Sequence, residues 1–139
     1  MNRELLMKEL GRDEGCRTQM YKDSLGIETI GIGHNLRDRP VSMRAVAVIF
    51  EDDLGDVEKD LDTYLSWWRE LSEERQRVLA NMCFNMGITR LLQFKNTLTS
   101  IQTGDYKAAA RGMLSSLWAR QVGVRAIRLA KMMDPEVEV

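Results

Sequence analysis

Apolar residues recur at helical spacing through the middle of the chain. Between residues 43 and 63 they are Val46, Ile49, Phe50, Leu54, Val57 and Leu61. A period near 3.6 residues predicts one long amphipathic helix from Met43 to about Thr63, and Ser42 is a suitable N-cap. This helix is the longest element that the pattern predicts.

A second stripe follows, formed by Val78, Leu79, Met82, Cys83 and Met86. Ser72 before two glutamates is typical of a helix start, and Gly87 of an end. Shorter helices are expected at about Thr89–Leu92, Thr97–Gln102, Asp105–Ser115 and Val124–Met133. We expect the three tryptophans, Trp67, Trp68 and Trp118, in the core or at a junction between parts of the fold rather than as platforms for a ligand.

The first forty residues have a different pattern. Arg3–Asp13 predicts a short helix, with Asn2 as a possible N-cap and Gly15 as its end. Two strands, Cys16–Tyr21 and Ile27–Ile32, flank the segment Asp-Ser-Leu-Gly, whose first and fourth residues fit a type I turn. This segment therefore predicts a β-hairpin, with Thr29 facing away from Ile30 and Ile32.

Composition is that of an ordinary folded domain, with 44% hydrophobic and 29% charged residues in a chain of 139. No apolar run reaches the roughly 18 residues that cross a bilayer, and the first nine residues lack the apolar stretch of a secretory signal. We expect a single soluble domain, monomeric and made in the cytoplasm.

Cysteine and histidine usage restricts the chemistry. Cys16 and Cys83 form neither a disulfide framework nor a CxxC metal motif, so free thiols are expected. Because a zinc amidase site needs two or three histidines and only His34 is present, we expect no metal and no cofactor. A Cys-His peptidase that uses either cysteine with His34 is an open alternative.

Charge is unevenly distributed, although the net charge is only −1. Residues 67–133 contain 11 Lys and Arg against 4 Asp and Glu, which makes this segment net +7. Such a segment can attract an anionic polymer, but a scattered solvated surface explains it equally well. No aromatic-interleaved basic motif or zinc finger indicates nucleic acid, so we expect no nucleic-acid partner.

Two carboxyl groups flank the first predicted strand. Glu14 ends the first helix, where the partial negative charge of the carbonyl end favours the protonated form, whereas Asp23 lies in a polar turn that favours the ionised form. One protonated and one ionised carboxyl suggest glycoside hydrolysis. Taken singly, Asp23 is better explained as a turn former and Thr29 as a strand former.

The joint pattern is more specific. Eight residues separate Glu14 from Asp23, and five separate Asp23 from Thr29. Thr29 is followed directly by Ile-Gly-Ile-Gly-His. This order resembles the catalytic signature of the bacteriophage-type lysozymes, the T-even phage family. The run Asn-Met-Cys-Phe-Asn-Met-Gly at 81–87 resembles that family's signature in its larger lobe, and the resemblance spans roughly residues 3–133.

The resemblance implies roles for these residues. Glu14 would protonate the glycosidic oxygen, Asp23 would help to activate water or stabilise the positive sugar, and Thr29 would hold a water molecule. Arg125 would pair with Glu14, and a structural ion pair would join His34 to Asp53. The positions that would contact the substrate are Phe84, Thr97 and Asn35.

The resemblance also implies an α+β fold that is mostly α. A small hairpin lobe at about 13–41 would be joined by the helix at about 43–63 to a helical lobe at about 64–133 plus helix 3–13, all within one domain, 1–139. The implied activity is cleavage between N-acetylmuramic acid and N-acetylglucosamine in peptidoglycan strands, with inversion. As a phage endolysin, the protein would need a membrane-hole partner, a holin, to leave the host cytoplasm.

The chain departs from the family between His34 and Ser42, where only the seven residues NLRDRPV stand in place of a longer segment with a further strand and short helix. Gly112 stands where the family offers an amide side chain to the sugar, and the C-terminal PEVEV replaces a packed segment. Two alternatives therefore stay open: a wall-binding or structural protein that has lost turnover, and a module that binds an anionic polymer.

Overall fold

The computed structural model describes all 139 residues, which divide into two compact units, Met1–Ile49 and Phe50–Val139. Eight α-helices and one three-stranded antiparallel sheet confirm the predicted α+β class with a helical majority. No helix has both the length and the apolar character needed to cross a membrane. How the units form one domain, and where helix 3–13 belongs in it, stay predictions.

The first helix, α1, extends over Arg3–Glu14. The side chain of Asn2 caps its start by accepting a hydrogen bond from the Leu5 N–H at 3.0 Å. Gly15, with φ 79°, follows its last residue. Both ends confirm the prediction, because caps and left-handed glycines act over only a few residues.

The sheet consists of β1 (Arg17–Lys22), β2 (Glu28–Gly31) and β3 (His34–Asn35), in that order. β1 and β2 confirm the predicted hairpin, although an irregularity interrupts their register between Arg17 and Tyr21. The third strand corrects the sequence analysis, which placed no strand after His34. Two residues are too short to show an alternating pattern, so only the pairing with β2 reveals this strand.

The β1–β2 turn has the predicted hydrogen bond, from the Gly26 N–H to the Asp23 carbonyl at 3.0 Å. Gly26 has φ 77°, and the Asp23 N–H donates to the carbonyl of Ile27 at 3.0 Å. A turn followed by a left-handed glycine is a common three-residue hairpin connection.

The long helix α2 covers Met43–Tyr64 and confirms the prediction. Ser42 caps it by accepting a hydrogen bond from the Ala45 N–H at 3.1 Å. Its apolar stripe is buried only towards the C-terminal end, at Val57 and Leu61, whereas Val46 is 43% exposed. Helical periodicity thus predicted the element but not how much of its apolar face is covered.

Six further helices follow: α3 (Glu73–Met86), α4 (Ile88–Leu91), α5 (Lys95–Gln102), α6 (Tyr106–Leu114), α7 (Leu117–Val122) and α8 (Val124–Met133). All but α7 were predicted. A 3₁₀ turn at Trp68–Glu70 was also missed. Six and three residues are too few for a helical period to be visible.

The second unit contains the hydrophobic core. Every buried apolar side chain of the protein lies between Val57 and Val137. Trp68 and Trp118 are 4% and 7% exposed, and Trp67 packs against the same cluster, so the structural interpretation of the tryptophans is confirmed. Val137 is only 6% exposed, which corrects the expectation that the acidic tail is not packed.

Candidate active site

Glu14 is the last residue of α1, and its side chain is exposed. Within the first unit its carboxylate accepts no hydrogen bond from protein, and only its backbone carbonyl is bound, by the Tyr21 hydroxyl at 3.5 Å. A Cβ atom added to Gly33 would lie 3.3 Å from Cβ, Cγ and Oε2 of Glu14, so the glutamate side chain rests against this glycine. The carboxyl oxygens are therefore held near backbone while staying free of protein donors of the same unit.

Asp23 is anchored by the turn that it begins. Its Oδ1 accepts hydrogen bonds from the N–H groups of Leu25 at 2.8 Å and Ile27 at 2.9 Å. Oδ2 has no hydrogen-bond partner in this unit. One oxygen thus fixes the carboxylate and the other is available, so the turn-forming and chemical interpretations of Asp23 are compatible.

Thr29 lies in β2 and is the one buried residue of the first unit, at 3% exposure. Its hydroxyl donates to the backbone carbonyl of Ile27 at 2.9 Å. Because this bond uses the only hydrogen of the hydroxyl, Thr29 can hold a water molecule only as an acceptor.

Tyr21 connects these positions and was missed by the sequence analysis. Its Cα lies opposite that of Thr29 in the β1–β2 pair, and its hydroxyl reaches the Glu14 carbonyl. The guanidinium of Arg17 lies 4.7 Å from the centre of the tyrosine ring. An aromatic residue at the end of a predicted strand, two positions before Asp23, was the available signal.

Asn35 is used within its own loop. Its Oδ1 accepts from the N–H groups of Arg37 and Asp38, each at 3.0 Å, and its Nδ2 donates to a carboxylate oxygen of Asp38 at 2.9 Å. The predicted sugar contact of Asn35 stays a prediction. A sugar hydroxyl would have to use the same Oδ1 and Nδ2 atoms that already make these hydrogen bonds. The structure adds a role in closing the shortened loop after β3.

His34 precedes Asn35 in β3, and the Nε2 atom of His34 is buried without a hydrogen-bond partner. The proposed partner Asp53 belongs to α2 in the second unit. The His34–Asp53 pair therefore joins residues of different units and stays a prediction.

In the second unit, Arg125 donates two hydrogen bonds to Oδ1 of Asn81, from Nε at 3.0 Å and from Nη2 at 2.7 Å. The amide of Asn81 thus orients the guanidinium from a position 44 residues earlier in the chain. Pairing of Arg125 with Glu14 also joins the two units and stays a prediction.

Thr97 and Phe84 occupy contrasting environments. Phe84 is 47% exposed and its ring centre lies 6.1 Å from that of Phe50. Thr97 is 7% exposed in α5, and its hydroxyl fills the space above Gly112 of α6, where a Cβ atom would overlap it. Gly112 stands where the family has an amide side chain. Because it has no side chain, it leaves room for the Thr97 hydroxyl. Sugar contacts by Phe84 and Thr97 stay predictions.

The cysteines are free thiols in different environments, Cys16 exposed and Cys83 buried. Burial raises the pKa of the Cys83 thiol, and the charge of Asp60 acts in the same direction. A raised thiol pKa opposes formation of the thiolate nucleophile. Cys83 is therefore a poor candidate for the Cys-His peptidase alternative.

Four of the basic residues in the positive segment already have protein partners. Arg69 pairs with Asp62 and Glu58, and Arg77 pairs with Glu73. Arg75 donates to the carbonyl of Met133 and covers the Tyr106 ring, and Arg125 is bound to Asn81. The ion pairs of Arg69 and Arg77 neutralise part of the positive charge, whereas the neutral partners of Arg75 and Arg125 only restrict their guanidinium groups.

A cavity of about 430 Å³ in the second unit is not lined by any predicted site residue. Phe94, Leu117 and Trp118 form its apolar part, and Arg90, Gln93 and Gln121 its polar part. Trp118 Nε1 donates to Asn85 Oδ1 at 2.8 Å, which fixes the indole.

The structure has a glutamate at the end of α1, an aspartate in the hairpin turn and a buried threonine in β2, followed by a helical unit. These features define a small α+β protein with one carboxyl group before and one after its first strand. The sequence profile of the family described as phage lysozyme matches residues 11–131. The chain belongs to this family.

Three relatives illustrate its range. The chain is 31% identical to the pre-baseplate central spike protein Gp5 of Enterobacteria phage T4 over 86% of this chain and 26% of that protein. It is 27% identical to a probable T4-type lysozyme of Dictyostelium discoideum, over 88% and 89% of the two chains. It is 31% identical to the peptidoglycan hydrolase gp36 of Pseudomonas phage phiKMV, over 94% of this chain and 15% of that one. The chain thus spans about a quarter or less of the two phage relatives.

Proposed function

We propose that the protein is a lysozyme that hydrolyses the β-1,4 bond between N-acetylmuramic acid and N-acetylglucosamine in peptidoglycan. Membership of the phage lysozyme family supports a lysozyme-type hydrolase. The Dictyostelium relative is named as a probable lysozyme and the phiKMV relative as a peptidoglycan hydrolase, which supports the same activity. The observation that carries the proposal is Glu14, a carboxyl held against Gly33 with no protein hydrogen bond in its own unit.

In the proposed reaction Glu14 gives its proton to the glycosidic oxygen as the bond from that oxygen to the sugar C1 breaks. Asp23, anchored through Oδ1, uses Oδ2 to take a proton from the attacking water or to stabilise the positive charge on the sugar. Thr29 accepts a hydrogen bond from that water. The water oxygen becomes the new C1 hydroxyl, and both carboxyl groups exchange protons with solvent before the next turnover.

Attack by water from the face opposite the leaving oxygen makes the reaction inverting. NMR of the fresh product tests this feature, because the β-linked glycan should first release the α-anomer. If the β-anomer is formed first, the reaction retains configuration and Asp23 is a nucleophile.

The remaining roles follow the family pattern. We assign sugar contacts to Phe84, Thr97 and Asn35, orientation of Glu14 to Arg125, and a structural ion pair to His34 and Asp53. A double-mutant cycle of His34→Gln and Asp53→Asn in urea unfolding tests that pair: a coupling of about 0.5 kcal/mol or more supports it, and an additive result argues against it.

The principal experiment measures reducing ends released from purified peptidoglycan by the parent and by Glu14→Gln. We expect the variant to lose about 10²- to 10⁴-fold in rate, because a positioned proton donor commonly contributes that much. Glu9→Gln is the matched control, since Glu9 is an exposed glutamate on the same helix. Both variants should unfold at the temperature of the parent.

If Glu14→Gln keeps its activity, Glu14 is not the acid. If the parent itself releases no reducing ends while it binds peptidoglycan, the wall-binding alternative replaces the enzyme.

We further propose that the setting is a phage endolysin, held in the host cytoplasm until a holin opens the membrane. A second setting, a wall-degrading module of a virus particle, is favoured by the matches to a spike protein and to the much longer phiKMV hydrolase. Immunoblots of purified particles and of particle-free lysate distinguish the two, since an endolysin is found in the lysate alone.

A further inference from the structure

Gly33 is constrained in two independent ways. It lies between β2 and β3 with φ 64°, in the left-handed region that side chains rarely adopt. In addition, a Cβ atom at this position would lie 3.3 Å from three atoms of the Glu14 side chain. That separation is shorter than an ordinary van der Waals contact between carbon atoms.

Gly31 provides a natural comparison two residues earlier. It has φ 67°, almost the same as Gly33, but a Cβ atom there would meet nothing within 4 Å. The two glycines therefore share the same backbone requirement, and only Gly33 faces the glutamate.

Glu14 depends on such a contact because, within the first unit, little else restrains its side chain. Its carboxylate accepts no hydrogen bond within the first unit, and a helix-end glutamate has three side-chain torsions to order. Contact with the Gly33 backbone blocks part of that rotational space.

We propose that Gly33 is a positioning residue for the acid: its missing side chain lets Glu14 lie against the turn with Oε2 in the orientation used for proton transfer. The inference rests on the proposed function, and it adds a residue whose effect is transmitted entirely through Glu14. A methyl group at position 33 pushes the carboxyl away and removes water beside it.

The test compares Gly33→Ala with Gly31→Ala. Both variants place alanine at the same positive φ, so both should lose similar thermal stability. Gly33→Ala should lower kcat about tenfold at nearly unchanged KM, because the carboxyl must move by a few tenths of an ångström to relieve the 3.3 Å approach, which is less than the misplacement of about 1 Å that can cost about 10²-fold. Gly31→Ala should stay within about threefold of the parent, which is less than the tenfold equivalent of about 1.4 kcal/mol.

A background without the acid provides a readout that a purely structural defect does not move. In the Glu14→Gln background, Gly33→Ala should cause no further loss of rate, since the group it displaces is absent.

Equal losses in the two alanine variants, or a further loss in the Glu14→Gln background, would overturn the proposal. A variant-free measurement keeps it testable if Gly33→Ala does not fold: the parent should give NOEs between the Gly33 α-protons and the Glu14 γ-protons, and their absence overturns it. If the parent does not hydrolyse peptidoglycan, the proposed function fails separately. The NOEs of the parent then still decide whether Gly33 contacts Glu14.

Discussion

The two units hold their polar residues by different means. In Met1–Ile49 only Thr29 is buried, and the anchoring hydrogen bonds are local: Asp23 binds N–H groups two and four residues ahead. In Phe50–Val139 all the buried apolar side chains form one cluster, and Arg125 is oriented by an amide 44 residues away.

This difference separates two sources of order. Turns and caps can place a carboxylate on a small sheet without a large core, because each backbone N–H bond acts over a few residues. A packed helical cluster places side chains through contacts between distant segments, and it supplies most of the area removed from water. We therefore expect substitutions in the hairpin to affect chemistry first and those in the helical unit to affect stability first.

The largest effect is expected at Asp23, where two substitutions distinguish the role of its charge from its role in forming the turn. Asp23→Asn keeps an oxygen for the N–H groups of Leu25 and Ile27 but removes the charge. We expect kcat to fall by about 10²- to 10⁴-fold with little change in stability. Asp23→Ala should additionally lose about 1 kcal/mol for each hydrogen bond in urea unfolding. An asparagine variant as active as the parent would show that the carboxylate is not needed.

The next effect compares two leucines, one from each unit. Leu79 is fully buried in the core, whereas Leu25 is 80% exposed in the hairpin turn. Leu79→Ala should lower the free energy of unfolding by about 2–5 kcal/mol through lost burial and a residual cavity. Leu25→Ala should change it by no more than about 0.5 kcal/mol. Similar losses in urea titrations would contradict the contrast between the units.

A smaller effect concerns the close approach of α5 and α6. Gly112→Ala should lower the free energy of unfolding by about 1–3 kcal/mol, because its methyl overlaps the Thr97 hydroxyl. In a Thr97→Ala background the same change should be nearly neutral, since the remaining Cβ at position 97 lies 3.5 Å away and alanine favours the helix. A double-mutant cycle measures this coupling, and an additive result would exclude it.

The smallest effect is the loss of stability in acid that one carboxylate in each unit causes. Hydrogen bonds from Arg69 and then Trp68 lower the pKa of Asp62, and a backbone hydrogen bond followed by Arg37 lowers the pKa of Glu28. A depressed folded pKa contributes stability above the unfolded value, near 4, and this contribution is lost as pH falls through the folded value. Asp62→Asn and Glu28→Gln should therefore be less stable than the parent at neutral pH and converge with it in acid. A deficit that persists at pH 2 would exclude this linkage.

Sequence reasoning was most accurate where a structural signal is local. The predicted capping residues Asn2, Ser42 and Ser72 all accept the hydrogen bonds expected of an N-cap. The Asp23–Gly26 turn likewise has its expected bond. Each signal works because the donor and acceptor lie within four residues of each other.

The elements that were missed are short. β3 has two residues and α7 has six, so neither displays a period, and both depend on neighbours for their hydrogen bonds or packing. In the candidate site, the contacts of Glu14 with Gly33 and of Thr97 with Gly112 were also not predictable, because spacing along the chain does not reveal which backbone approaches which side chain.

The sequence by itself determined the hairpin, the long helix and the main helices after it, since periodicity, caps and turn residues act through nearby atoms. The residues proposed for chemistry rest on the resemblance of the sequence to a family, and their roles stay predictions. Tertiary structure decided which apolar residues are covered. Val46 and Val57 belong to one stripe of α2, yet they are 43% and 8% exposed. A helix specifies which side chains share a face, but the removal of that face from water requires a second surface, which only folding supplies.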